Sequence, residues 1–242
     1  MGIAASPPRG LTILTIVSLA LILASLGLVF FYAPMEATMG QVQRVFYFHL
    51  GAFFGATAAF LGAVVAGVAY LRTRRRRWDA IGASSVEIGL AFSAITILSG
   101  PVWASLAWNA LWAWDPRLTM VTIMWLIYAA YLMLRRSIED PDRRARFSAV
   151  YGIVAFLSVI GTFAVPRILA SVTNPHPTVI GPGSESGSQT TGTFAMTAPM
   201  TMTLMFTGLS FVVLYFTLLW YRVRLENLAE RVAALKMRVL AR

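Results

Sequence analysis

Two imidazoles and a crowd of indoles are the side chains best equipped for chemistry in this 242-residue chain. His49 stands in QRVFYFHLGAFF and His176 in TNPHPTVIG, and the chain has no further histidine and no cysteine. Between them GPVWASLAWNALWAWDPRLT, residues 100–119, gathers four of the seven tryptophans, Trp103, Trp108, Trp112 and Trp114, and runs into Asp115, Pro116 and Arg117. Without thiols, disulfides, thiolate metal sites and cysteine nucleophiles are excluded. Two imidazoles can take both axial positions of a haem iron, and indole faces can cover the apolar ring. Propionates need cations, and arginine answers a carboxylate with paired, charge-assisted bonds. Arg44 lies five residues before His49 and Arg117 closes the tryptophan stretch.

Each of these residues also has a plainer role. Membrane proteins place tryptophan at headgroup level as an aromatic belt. Asp115 before Pro116 is a helix N-cap with proline at the first helical position. Arg117 can pair with Asp115, and Arg44 can snorkel to a membrane edge. If 101–114 is helical, Trp103 and Trp114 fall within about 20° of each other, with Trp108 and Trp112 on nearly the opposite face. Indoles on both sides suit a short helix lying at the interface. His176 is bracketed by Pro175 and Pro177, which restrict its backbone.

The elements that must position these residues are membrane helices. The chain is 58% hydrophobic and 12% charged, with a mean hydropathy of +0.70, whereas soluble domains carry about 25% charged residues. Apolar runs of about 20 residues read as spans, and six are found near 11–33, 45–71, 80–100, 117–134, 147–169 and 199–221. The first is too long in its apolar core for a signal peptide. The expected fold is therefore all-α: one polytopic membrane unit, 1–242, of six transmembrane helices with a short tryptophan-rich interfacial helix on the outer side. The tail 222–242, with Leu225, Leu228, Val232, Leu235 and Val239 between charges, has helical spacing and continues the last helix or lies on the cytoplasmic face.

Charge orients the spans. The net charge is +10, and 17 of the 20 Lys and Arg residues fall on the side of the termini, in RTRRRRWD, RRSIEDPDRRAR, the tail and Arg9. By the positive-inside rule that side is cytoplasmic, so the charge needs no nucleic acid to explain it. Segments 34–44, 100–119 and 170–198 then lie outside, with both histidines and with Arg44, Arg117 and Arg167. Glu87 is the clearest ionisable group within a span and has no role assigned by sequence.

The motif GPVWASLAWNALWAWDPRLT resembles the tryptophan-rich WWD signature of haem-handling membrane proteins of cytochrome c maturation. Length, six spans and two outer histidines resemble the haem exporter protein C (CcmC) family over nearly the whole chain. The family's histidines match His49 and His176, its motif matches Trp103, Trp108, Trp112, Trp114, Asp115 and Arg117, and Arg44 matches its arginine ahead of the first histidine. Two departures stand out: Leu50-Gly51 follows His49 where the family usually has Val-Pro, and Thr173-Asn174-Pro175 precedes His176 where tryptophans are usual. The resemblance implies a bacterial inner-membrane protein that holds haem b between His49 and His176 and passes it to a CcmE-type haem chaperone. It also implies ATP-binding-cassette partners (CcmA/CcmB-like) and a small CcmD-like membrane peptide. The chain has no P-loop, so energy from ATP must enter through a partner. On this reading the protein is not an enzyme. The alternatives are a CcsA-type cytochrome c synthetase component, or a structural permease subunit whose tryptophans only anchor it.

Overall fold

In the computed structural model, residues 7–35, 40–108, 114, 116–169 and 196–240 are described. Among the described residues are six α-helices: α1 (Arg9–Gly27, continued by a π-helical turn, Leu28–Tyr32), α2 (Gln43–Thr73), α3 (Arg76–Trp108), α4 (Pro116–Ser137), α5 (Pro141–Ile168) and α6 (Ala198–Leu240). Each is long and apolar enough to cross a bilayer. The chain is a polytopic all-α membrane protein, as its hydropathy predicts.

Helix α2 is central because its sequence lets neighbours approach. Ala52, Ala56, Ala59, Ala63 and Ala66 recur every three or four residues and are almost wholly buried, the small-residue stripe that brings membrane helices close. Helices α3, α5 and α6 pack around it. Rings fill the places that glycines leave open. A Cβ at Gly89 of α3 would stand 2.6 Å from the Phe60 ring of α2, and one at Gly55 of α2 would stand 2.7 Å from the Phe92 ring of α3. Phe60 also stacks on Tyr128 of α4, centroids 3.7 Å apart and planes 12° from parallel.

The rim of α1 is different. It packs mainly on α6, through hydrogen bonds between Ser25 and Ser210 (2.9 Å) and between Thr15 and Tyr221 (3.0 Å).

The arginine-rich connections are short and tied down. Arg74 closes α2 in the left-handed conformation, φ 53°, and its N–H donates to the Tyr70 carbonyl at 2.7 Å. Helix α5 starts earlier than its apolar run, because Asp140 caps it and accepts from the Arg143 N–H at 2.6 Å, with Pro141 in the first turn. Arg135 of α4 donates two bonds to Asp79 of α3, 2.6 and 2.8 Å long. This pair is largely buried, with 14% and 16% of the side chains exposed.

Two elements extend beyond their expected bounds. Helix α3 passes through Pro101 and ends at Trp108, so the described half of the tryptophan stretch continues a span where a separate interfacial helix is expected. Proline is tolerated in membrane helices, where neighbouring helices and local adjustments support the freed backbone. Helix α6 runs unbroken for 43 residues, about 65 Å at the helical rise, so the tail is a continuation of the last span.

Candidate functional site

His49 sits in the second turn of α2, half-buried, with its ring turned to α3. Its Nδ1 lies 3.0 Å from Ser99 Oγ. The surroundings of Ser99 favour one tautomer. Ser99 has one hydroxyl hydrogen, and that hydrogen is directed to the Ile95 carbonyl at 2.7 Å, with the Thr96 carbonyl at 3.3 Å. With its hydrogen so directed the oxygen is able to accept from Nδ1–H, an arrangement that favours the tautomer with its lone pair on Nε2. A neutral imidazole of that tautomer, oriented through its other nitrogen, has the form that metal-binding histidines take. Gly100 clears room beside it: a Cβ there would come within 3.4 Å of His49 Cε1. Thr96 Oγ1, whose shorter bond goes to the Phe92 carbonyl (3.1 Å), is 3.5 Å from the His49 carbonyl.

The tryptophan stretch begins immediately beyond this contact. Position 103 is four residues after Ser99, hence one turn along on the same stripe of α3. Trp103 and Trp108 both belong to the last turns of α3. Trp114 is 72% exposed, an unusually open position for an indole. The structure therefore brings His49 to the root of the tryptophan segment, from helices 50 residues apart in sequence. His176, Trp112 and Asp115 lie outside the described residues.

The two arginines are placed differently from each other. Arg44 has its guanidinium carbon 4.9 Å from the centre of the Phe30 ring in the π turn after α1, a cation–π contact. Five residues separate it from His49, about 140° around α2, so Arg44 faces α1 while His49 faces α3. These two residues share an end of the bundle but not a face. Arg117 is half-buried in the first turn of α4.

Glu87 acquires a partner. Arg222 of α6 donates from Nε to Glu87 Oε2 (2.6 Å) and from Nη2 to Oε1 (3.1 Å), and from Nη1 to Glu226 (2.9 Å). This carboxylate joins α3 to α6 on the arginine-rich half of the molecule, well away from His49.

Sequence reasoning missed Ser99. Its only advance signal is the small pair Ser99-Gly100 ahead of the first tryptophan, the kind of residue that lets membrane helices meet and hydrogen-bond.

Together these features define a class: a polytopic helical membrane protein that presents an oriented imidazole beside a tryptophan-rich helix end. The chain belongs to the heme exporter protein C family, whose model, CcmC, matches residues 5–238. It is 32% identical over 137 residues to the heme exporter protein C of Rhodobacter capsulatus, a match covering 56% of each chain. With that of Paracoccus denitrificans it shares 27% identity over 215 residues, 88% of this chain and 85% of the relative. A shorter likeness links it to the cytochrome c biogenesis protein CcsA of a Synechococcus species (strain CC9605), 41% identical over 76 residues, 31% of this chain and 25% of the relative.

Proposed function

We propose that this protein binds haem as cargo in cytochrome c maturation, at the bundle end carrying His49 and the tryptophan segment. The observation that carries the reading is the Ser99–His49 contact at the root of that segment, in a chain of the heme exporter protein C family. Ser99 fixes the imidazole so that Nε2 is directed to an iron. His176, the second imidazole of the chain, supplies the opposite axial ligand. The indoles of Trp103, Trp108, Trp112 and Trp114 cover the porphyrin faces and edge, where burial of apolar surface contributes most of the affinity. Arg117, in the first turn of α4, meets a propionate through charge-assisted bonds, while Arg44 rests against Phe30.

In this proposal the cargo is haem b, held on the outer side of the bacterial inner membrane with both termini cytoplasmic. It is passed to a CcmE-type chaperone, which meets the exposed Trp114 edge. A CcmA/CcmB-like ATP-binding-cassette pair drives release, and a CcmD-like peptide completes the complex. The chain forms and breaks no covalent bond; its work is binding, orientation and handover.

The test is an absorbance spectrum of the purified protein. A six-coordinate haem spectrum is expected, with His49→Ala or His176→Ala lowering occupancy or producing a five-coordinate form. If both variants keep the wild-type spectrum, the ligand assignment falls. Maturation of a c-type cytochrome by this chain alone, in a host lacking its own system, would instead favour a synthetase of the CcsA kind.

A further inference from the structure

Arg222 still ties the last helix to Glu87 of α3, and beyond Glu226 the helix continues to Leu240 exposed on every side. Leu225, Leu228, Val232, Leu235 and Val239 alternate at spacings of three and four residues, and they are 45–72% exposed. That alternation follows the a/d pattern of a coiled-coil seam over two heptads. The positions flanking the seam are basic: Arg224, Arg231 and Arg238 recur every seven residues on one side, and Lys236 stands on the other. The acidic residues of the tail, Glu226 and Glu230, fall on the outward positions, and Glu226 is engaged by Arg222.

Charge and continuity decide what covers such a face. A helix that leaves a membrane span and then lies on the bilayer surface must turn sharply, and turns of that size need proline, glycine or a π-bulge. Residues 209–240 contain neither glycine nor proline, and α6 is one α-helix throughout. The exposed tail, 227–240, therefore projects beyond the bundle by about 20 Å at 1.5 Å per residue. A second copy of this chain fits no better. Two copies in one membrane meet in parallel, which sets Arg231 of one against Lys236 of the other, with no acid at any flanking position to relieve the repulsion.

We infer that the tail docks, as a two-helix coiled coil, an amphipathic helix of a different protein whose apolar seam is flanked by acidic residues. The docking is on the arginine-rich side of the membrane, at the opposite end of the molecule from His49, and it does not depend on the haem reading.

The absence of cysteine from the chain allows a clean test in the full-length protein in its native membranes. Single substitutions Leu228→Cys and Leu235→Cys on the seam, and Glu230→Cys on the outward face, are each labelled with a benzophenone maleimide and irradiated. Adducts are expected at the two seam positions and not at 230, and the cross-linked peptide sequenced from them should show a heptad seam with Asp or Glu on its flanks. Reversing the flank with Arg231→Glu and Arg238→Glu should lower adduct yield about tenfold, by like-charge repulsion, whereas Arg231→Lys with Arg238→Lys should preserve it. An adduct joining two copies of this chain, adducts to lipid alone, a peptide lacking acidic flanks, or seam labelling no stronger than that at 230 would each overturn the inference.

Discussion

Replacing Ser99 by alanine tests the orientation of His49 without touching the ring. The substitution removes the Ser99 oxygen that lies 3.0 Å from His49 Nδ1 and leaves the helix backbone intact, since alanine is the better helix former. A neutral hydrogen bond of this kind is worth about 0.5–1.5 kcal/mol net. His49 is half-buried, so water recovers part of that, and the expected loss is about 1 kcal/mol, or roughly fivefold in affinity. Outer-shell partners of metal-bound histidine typically cost 10–100-fold when removed, which sets the upper end. The assay is haem titration of the detergent-purified protein, read by the Soret band and by the iron–imidazole stretch in resonance Raman spectra. Ser99→Ala should weaken binding about 5- to 10-fold and lower that stretch. Ser99→Thr should restore both, because threonine keeps the hydroxyl and can make the same bond to the carbonyl one turn back. An alanine variant that binds haem within twofold of wild type with an unshifted stretch would refute the tautomer argument.

Other perturbations probe neighbouring parts of the scheme. The double variant Trp112→Ala, Trp114→Ala should abolish haem transfer to a chaperone while the protein still inserts and folds. Single variants should be milder, since one aromatic contact adds about 0.5–1.5 kcal/mol beyond area. Transfer assays in reconstituted membranes decide this, and normal transfer by the double variant would reduce the stretch to a belt. Arg117→Lys should keep the charge, lose the bidentate fork and transfer haem poorly, whereas Arg44→Lys, resting on Phe30, should change haem content little; equal effects in a delivery assay would show that the 140° separation does not matter. Arg135→Ala leaves Asp79 buried without its cation and should destabilise the bundle by about 3–5 kcal/mol, measurable as a lowered midpoint of thermal unfolding in detergent, with Arg135→Lys intermediate.

How much of this was legible in the sequence depends on how local each feature is. All six spans are visible because a bilayer-length apolar run is a contiguous signal, and the tail declares itself as helix by its own periodicity. The end of α3 is less legible: Pro101 reads as a boundary, yet the helix continues through it to Trp108. Glu87 stays unassigned in the sequence because its partner, Arg222, is 135 residues away. The same holds for Ser99 and His49, 50 residues apart. Residue type identifies candidates such as His49 and Arg44, but the side of α2 each occupies, one toward α3 and one toward α1, follows only from how the helices assemble.

The pairing of the first helix with the last has a consequence for biosynthesis. Helix α1 is synthesised first of the six, but the partner on which it packs, α6, is the last to leave the ribosome. In the interval it lacks its main partner, with Ser18 and Ser25, which end up buried, not yet covered by α6: Ser25 can satisfy its hydroxyl on the Leu21 carbonyl, 2.9 Å away. Its hydropathy suits the wait, at 2.7 the highest of the six spans. Closure of the bundle is thus a late event, and a nascent chain arrested before residue 210 would display α1 as an unmoored helix whose serines find no Ser210 to meet.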